Sequence, residues 1–337
     1  MSAVVIHEYK DSDNCRVERV EIPQPKKGEV LIKVHASPIN PSDIVFLKGK
    51  YSIKKVLPAI PGFEGSGEVV ASGGGLAAWR LLNKRVVFLA PGDCGAWSEY
   101  VITRAKFCIP LPKGISFYEG CSLINPLTVV MFMEHIKEGK HEAVIQTAAA
   151  SSCGKMLLRW CNAEQIPIIN IVRREDQATI LRYHGAQYIL NSSEPGWEEA
   201  LRKLCANLHA TVAFDAVSGS MTGKLLECMC EDSVVYIYGE LGREKVDNIV
   251  PASIIFHNKR IEGLMFQAWL RAKGKLGQWN AIKKAASLIP SVLRTDISAK
   301  YSLDNIEEAM LFYKKNMSKG KVILTPSEKR DSVDTKS

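Results

Sequence analysis

The chain has 337 residues, 46% of them hydrophobic, with a mean hydropathy near zero and a formal charge of +8. That length exceeds one ordinary core and argues for two domains, and no apolar run approaches the ~20 residues of a membrane-spanning helix, so no membrane partner is expected. Lys and Arg are scattered rather than blocked, which suits phosphorylated small ligands and makes a nucleic-acid partner unexpected.

Residues 1–6 run straight into a strand-like pattern, with neither a cleavable apolar signal nor an Arg-rich presequence. A cytoplasmic location is the default, although a removed mitochondrial presequence would leave no trace. The nine cysteines sit mostly inside apolar runs and include no CxxC pair, which fits reduced core thiols.

Residues 1 to about 120 read as strand-rich. The segments 17–22 and 30–36 alternate, with turn signals at Pro23, Pro25 and Gly28 between them. Further strand-like runs follow at 68–71, 85–89 and 95–101. From about 121 to 262 the pattern changes to alternating helix and strand. Strands are expected at 142–147, 166–172, 188–190, 211–217 and 233–238, and helices at 155–161, 198–208 and 221–230. That alternation predicts a parallel sheet covered by helices on both faces. Helices at 279–293 and 303–313 and a strand at 321–324 complete the chain. The polar tail at 327–337 reads as disordered.

The junction between the first two parallel strands carries the chemistry. A strand ending at Thr147 feeds a helix beginning near Lys155 through Ala148, Ala149, Ala150, Ser151, Ser152, Cys153 and Gly154. Such a turn lets a pyrophosphate approach unpaired N–H groups at a helix N-terminus. Taking Gly154 as the last residue of a dinucleotide fingerprint puts Ala149 and Ser151 where the first two glycines usually stand. Thr147, Ser151 and Ser152 offer hydroxyl and backbone donors to phosphate, and the serines equally suit close strand–helix packing. The second strand ends in Arg173-Arg174, nineteen positions after Gly154. A solvated basic turn is one reading; the sharper one is selection of the 2′-phosphate of NADP(H).

These motifs converge on a known pattern. The chain resembles the medium-chain dehydrogenase/reductase superfamily, in its zinc-free quinone oxidoreductase and 2-enoyl thioester reductase branches. The resemblance rests on Ser37-Pro-Ile-Asn-Pro-Ser-Asp43, Gly49-Lys-Tyr51, Pro61-Gly-Phe-Glu-Gly65, Gly95-Ala-Trp-Ser-Glu-Tyr100, Asn125-Pro-Leu-Thr128, the 147–154 turn, Asp215-Ala-Val-Ser-Gly219, Tyr238-Gly239 and Gly320-Lys-Val-Ile-Leu324. It implies an α/β protein in which a Rossmann doubly wound parallel sheet (122–262) is inserted in a GroES-like, mainly β catalytic domain (1–121, resuming at 263–326), with an active-site cleft between them. Zinc members place Cys where this chain has Asn40 and His where it has Phe63, so no metal is expected.

By the same resemblance Tyr51 stands where the enoyl thioester reductases carry a catalytic tyrosine; as a loop residue it would pack on the barrel rim instead. Asn40 would contact the nicotinamide or ribose, or serve as a turn residue before Pro41. Asp43 orders that loop. Thr128 is expected to open a helix, as a cap or as a nicotinamide contact. Ser192 falls where relatives often carry a Tyr near the adenosine phosphate. Ser218, Gly219, Tyr238 and Gly239 end sheet strands at the ligand side. Phe266 and Trp269 line the cleft or the core, and Lys321 is an exposed lysine or a phosphate contact. The implied activity is NADPH-dependent reduction of conjugated carbonyls (quinones, enones or 2-enoyl thioesters), in a homodimer joined through an edge strand of the Rossmann sheet, either 233–238 or 260–266. The alternative is an NADPH-binding protein with little catalysis, in a sensor, structural or RNA-binding role.

Overall fold

The computed structural model describes residues 1–10 and 14–326, so the expectation for the 327–337 tail lies outside the described residues. The chain divides into two units, one formed by Met1–Ile124 with Thr295–Ser337 and the other by Asn125–Arg294.

The first unit opens with β1 (Ser2–Val5), β2 (Arg16–Arg19), β3 (Glu29–Pro38), α1 (Pro41–Leu47), β4 (Glu64–Ser72), α2 (Leu76–Trp79), β5 (Arg85–Leu89), β6 (Tyr100–Arg104) and β7 (Cys108–Pro110). The second comprises α3 (Ile124–Glu138), β8 (Ala143–Gln146), α4 (Ser152–Ala163), β9 (Ile168–Val172), α5 (Glu175–Tyr183), β10 (Tyr188–Asn191), α6 (Trp197–Leu208), β11 (Ala210–Asp215), α7 (Ser220–Cys228), β12 (Val234–Ile237), α8 (Pro251–Ile255), β13 (Arg260–Gly263), α9 (Phe266–Ala272) and α10 (Gly274–Leu288). The chain then returns through β14 (Ile297–Ser302), α11 (Ile306–Asn316) and β15 (Lys321–Thr325).

In the first unit β3 is the hub. It pairs antiparallel with β4, β6 and β15, and the sheet runs β14-β15-β3-β4-β5-β7. Val30, Ile32 and Val34 turn one row of β-branched side chains into a core with Val69, Val86 and Phe88, as strand alternation requires. A second core gathers Ile39, Phe46, Phe63, Trp97 and Tyr313. This is the mainly β, GroES-like unit that the sequence implies.

In the second unit six strands lie in the order β10-β9-β8-β11-β12-β13, every pair parallel. This is the doubly wound Rossmann order, with its switch point between β8 and β11. Every residue of β8, β9 and β11 is buried, because helices cover both faces of an all-parallel sheet.

The boundary differs from the expected one. The resemblance implies a return to the first unit at 263, whereas residues 263–294 group with the Rossmann sheet. Polar contacts hold them there. The Trp269 indole donates to Glu134 of α3 at 3.0 Å, and the Arg159 guanidinium of α4 donates to the carbonyls of Val292 (3.0 Å) and Arg294 (2.5 Å). Phe266 and Trp269 are therefore residues of the nucleotide-type unit.

Candidate active site

The turn after β8 is built for close approach. Ala148 takes a left-handed φ of 47°, and its carbonyl accepts from Ser151 N at 2.9 Å. Ser151 caps α4, its hydroxyl accepting from Gly154 N at 3.1 Å. A Cβ on Gly154 would lie 2.3 Å from the Ala149 carbonyl oxygen, so only glycine lets the helix pack this tightly on the strand end, the role of the third fingerprint glycine. Ala149 is fully buried. Ser152, Cys153 and Gly154 form the first turn of α4, whose backbone N–H groups are the anion-binding feature of such a junction. These residues fit a dinucleotide pyrophosphate.

Beneath the turn lies a pair that the sequence reading missed. Gln146 donates to the Gly154 carbonyl at 3.1 Å and to Asn170 Oδ1 at 2.7 Å, while Asn170 donates to the carbonyls of Ile168 and Tyr188, each at 3.0 Å. Two amides inside apolar strands were the available signal, since buried polar groups must be paired.

Thr147 is placed differently from a phosphate donor. Its hydroxyl donates to Asp215 Oδ1 at 2.8 Å and accepts from Ala216 N at 2.8 Å, with no exposed surface. Asp215 also accepts from Val217 N, Ser218 N and the Thr222 hydroxyl. Ser218, at φ 65°, and Gly219, at φ 66°, turn the chain immediately beyond β11. Tyr238 N donates to the Asp215 carbonyl at 2.9 Å, and the Tyr238 ring meets Phe132 edge-on at 4.8 Å. Burial pushes the Tyr238 phenol above its ordinary range, with the Cys153 and Asp215 charges adding to the shift. A Cβ on Gly239 would come within 2.9 Å of the Ala216 carbonyl. Ser218, Gly219, Tyr238 and Gly239 thus cluster where the sheet's carboxyl ends meet.

Arg173 and Arg174 follow β9 and are exposed. Arg174 caps α5 and donates to Asp176 at 3.0 Å, and that hydrogen bond holds the exposed Asp176 carboxyl below its usual range. The Arg173 guanidinium has no partner among the described residues, while its carbonyl accepts from the Ser193 hydroxyl at 2.9 Å. Ser192 N donates to the Val172 carbonyl at 2.7 Å, which sets the 192–193 loop beside the arginines. Thr128 does not open its helix. α3 starts at Ile124, which leaves Thr128 half-buried inside it, because Leu123 N and Ile124 N each donate to Glu64 Oε2 at 2.6 Å and fix the start earlier.

In the first unit, the corresponding candidates form a buried charge cluster. Asn40 is the N-cap of α1 and Pro41 takes the first helical position, an arrangement that proline's fixed φ favours. The Asn40 amide is engaged at both ends: its Nδ2 donates to Glu64 Oε1 at 2.9 Å, and its Oδ1 accepts from Lys321 Nζ. Lys321 is 3% exposed, so it is neither the exposed lysine nor the phosphate contact of the sequence reading; β15 delivers it into the core of the first unit. Asp43 accepts from Asn40 N at 2.7 Å, ordering that loop. Burial raises Asp43 to about 7, helped by the Glu64 charge and opposed by the Asn40 hydrogen bond and by Lys321 and Lys55. Lys55, which the sequence reading passed over, stands 5.3 Å over the Phe63 ring and donates to the Ile60 carbonyl at 2.9 Å. Burial lowers its amine to about 8. Tyr51 packs on the same Phe63 ring, 5.1 Å between centroids.

Comparison with known proteins matches this architecture. Residues 26–113 match the alcohol dehydrogenase GroES-like domain family, and residues 153–284 match the zinc-binding dehydrogenase family. A Mesorhizobium loti protein assigned as an NADPH:quinone reductase is 30% identical, with 97% of this chain and 98% of that one covered at a TM-score of 0.88. The chain belongs to the medium-chain dehydrogenase/reductase superfamily. Its place is the branch of quinone oxidoreductases and enoyl reductases. The mitochondrial enoyl-[acyl-carrier-protein] reductase of Arabidopsis thaliana is 26% identical over 80% of this chain and 73% of its own. The quinone oxidoreductase of Pongo abelii is 23% identical over 92% of both.

Zinc-binding members of the superfamily set the test for a metal, and the residues here do not fit one. Phe63 has no lone pair to offer. The Asn40 oxygen already accepts from an ammonium, and Glu64 accepts from Asn40, Ser122, Leu123 and Ile124. Among the described residues no group of three or more His, Cys, Asp or Glu is placed to hold a metal ion, whereas a structural or catalytic zinc needs three or four such ligands.

Proposed function

We propose that this oxidoreductase is a zinc-independent, NADPH-dependent reductase of conjugated carbonyls: quinones, enones or 2-enoyl thioesters. The observation that carries this reading is the small-residue turn from β8 into α4 with two arginines at the end of the neighbouring strand. The quinone oxidoreductase and enoyl reductase relatives support it.

The N–H groups of Ser152 and Cys153 would hold the pyrophosphate, with Gly154 allowing the close packing of α4 on the strand end, and Arg173, Arg174 and the Ser192 loop would hold the 2′-phosphate. Bound NADPH supplies a hydride. Such a hydride, added at the β-carbon of an enone or enoyl thioester, would leave negative charge on the carbonyl oxygen until the α-carbon took a proton from water. A positioned hydrogen-bond donor is what stabilises such an oxyanion. Tyr51, fixed against Phe63, is the phenol assigned to that role. Asn40 is 2% exposed and its amide is held at both ends by Glu64 and Lys321, so it is assigned to ordering the loop ahead of α1 rather than to touching the nicotinamide.

The test combines binding with turnover. Calorimetry should show NADPH binding far more tightly than NADH, a gap that closes when Arg173 and Arg174 are both changed to Ala, since each phosphate hydrogen bond is charge-assisted. NADPH oxidation should proceed with a quinone or a short 2-enoyl thioester, and Tyr51→Phe should lose it while still binding NADPH. Equal affinity for the two cofactors, or no turnover with any such acceptor, would overturn the reading.

The same reading extends to assembly as a homodimer. β13 is an edge strand with exposed backbone-flanking residues, and Ile254, Ile255 and Phe256 just before it are 46%, 68% and 76% exposed. An unpaired edge beside an apolar patch is a surface that natural proteins cover, and a second copy supplies a self-complementary strand.

A further inference from the structure

The second unit carries a surface that the reductase chemistry does not use. Between Glu262 and Asp296 the sequence has no acidic residue, while Arg271, Lys273, Lys275, Lys283, Lys284 and Arg294 all fall inside that stretch. Five of these six cations lie on α9, on α10 or at the joint between them.

The packing of α10 decides which of its side chains face out. Ala281, Ile282, Ala285 and Ala286 are buried. The opposite row, Leu276, Trp279, Asn280 and Lys283, is exposed, as the spacing of three and four residues on a helix dictates. Leu276 is 73% exposed and Trp279 47%. Of the nearby cations, Lys273 pairs with Glu134 at 2.6 Å, and Lys284 lies over the Trp160 ring at 5.3 Å. Arg271, Lys275 and Lys283 are exposed on the same pair of helices, Lys283 on the row of Leu276 and Trp279 and Lys275 in the first turn of α10.

We propose that this face of α9 and α10 docks on an anionic lipid bilayer. Leu276 and Trp279 enter the boundary between headgroups and acyl chains, and Arg271, Lys275 and Lys283 meet the lipid phosphates and carboxylates. Three features favour a bilayer over other polyanions. Tryptophan belongs at the headgroup level. An exposed leucine gains from burial in acyl chains, whereas a nucleic acid gives it nothing apolar to rest on. Lysines extend along such a boundary with their charge in water. None of this requires a spanning segment, and among the described residues no helix is long and apolar enough to cross a membrane.

The experiment is co-sedimentation of the full chain with vesicles of phosphatidylcholine alone and of phosphatidylcholine with phosphatidylserine. Binding should appear with the anionic vesicles, weaken with salt, and be absent with the neutral ones. Lys275→Gln with Lys283→Gln should weaken it by more than about tenfold. Leu276→Ser with Trp279→Ser should weaken it comparably with every charge retained. The blue shift of tryptophan emission on adding vesicles should vanish in Trp279→Phe. All four positions are exposed, so unchanged circular dichroism and NADPH affinity identify folded variants. Equal binding to both vesicle types, indifference to both double substitutions, or retention by RNA or an acidic protein without retention by vesicles would overturn the proposal.

Discussion

Thr147 donates a 2.8 Å hydrogen bond to Asp215 and so ties the carboxyl ends of β8 and β11 together across the switch point of the sheet. Thr147→Val removes the hydroxyl, which leaves one lone pair of a buried carboxylate and the Ala216 N–H without partners. Such losses cost about 1–3 kcal/mol each. The Rossmann unit should unfold several degrees lower, and NADPH affinity should fall because the turn beginning at Ala148 loses its anchor. Thermal unfolding with and without NADPH checks both effects.

Gly154→Ala puts a methyl 2.3 Å from the Ala149 carbonyl oxygen. That atom is backbone, so relief requires α4 to move away from the strand end. The variant should lose most NADPH affinity in calorimetry. Ala148→Gly at φ 47° relieves a left-handed alanine and should raise stability by about 1 kcal/mol, measured by denaturant unfolding.

Asp43 predicts a pH dependence. Its folded value of about 7 lies above the ordinary 3.8, so the folded state holds this proton more tightly than the unfolded chain. The associated stability is complete below 3.8 and is lost as pH rises to 7, by on the order of 4 kcal/mol. Glu64, Lys321, Lys55 and Tyr313 are the titratable groups that face it. Asp43→Asn should therefore look progressively more stable relative to the unsubstituted chain as pH rises from 5 to 8. Denaturant midpoints across that range test the sign; a difference that stays flat would show that Asp43 ionises normally.

Charge at the apolar patch before β13 should separate subunits. Ile255→Asp with Phe256→Asp places two carboxylates where side chains are 68% and 76% exposed, so the fold of one copy should persist. Light scattering should give the mass of a dimer for the unsubstituted chain and of a monomer for the double variant.

Much of this arrangement was legible in the sequence. Buried parallel strands read as unbroken apolar runs, so β8, β9 and β11 and the helices between them stood out, and the small-residue turn marked where they meet. The superfamily resemblance added the barrel unit. Partner choice was not legible. A threonine at a strand end looks the same whether its hydroxyl faces a ligand or, as with Thr147, a neighbouring aspartate. Lys321 looked like a surface lysine because nothing local shows that β15 pairs with β3 and carries it to Asn40. Gln146 and Asn170 likewise became a pair only once β8 and β9 lay side by side. The boundary at Arg294, rather than 263, followed from long-range hydrogen bonds that no local pattern encodes.

The antiparallel pairing of Ser37 and Pro38 with Leu324 and Ile323 has a consequence during synthesis. A ribosome releases the hub strand early and its partner only after the whole nucleotide-type unit has emerged. The inserted unit has all six of its strands available by Gly263 and is free to close first, as domains generally do when they fold as units. Until the closing strand arrives, the earlier segment must wait with the Asn40 oxygen lacking its ammonium, and termination between Arg294 and Lys321 would leave one half finished and the other permanently open.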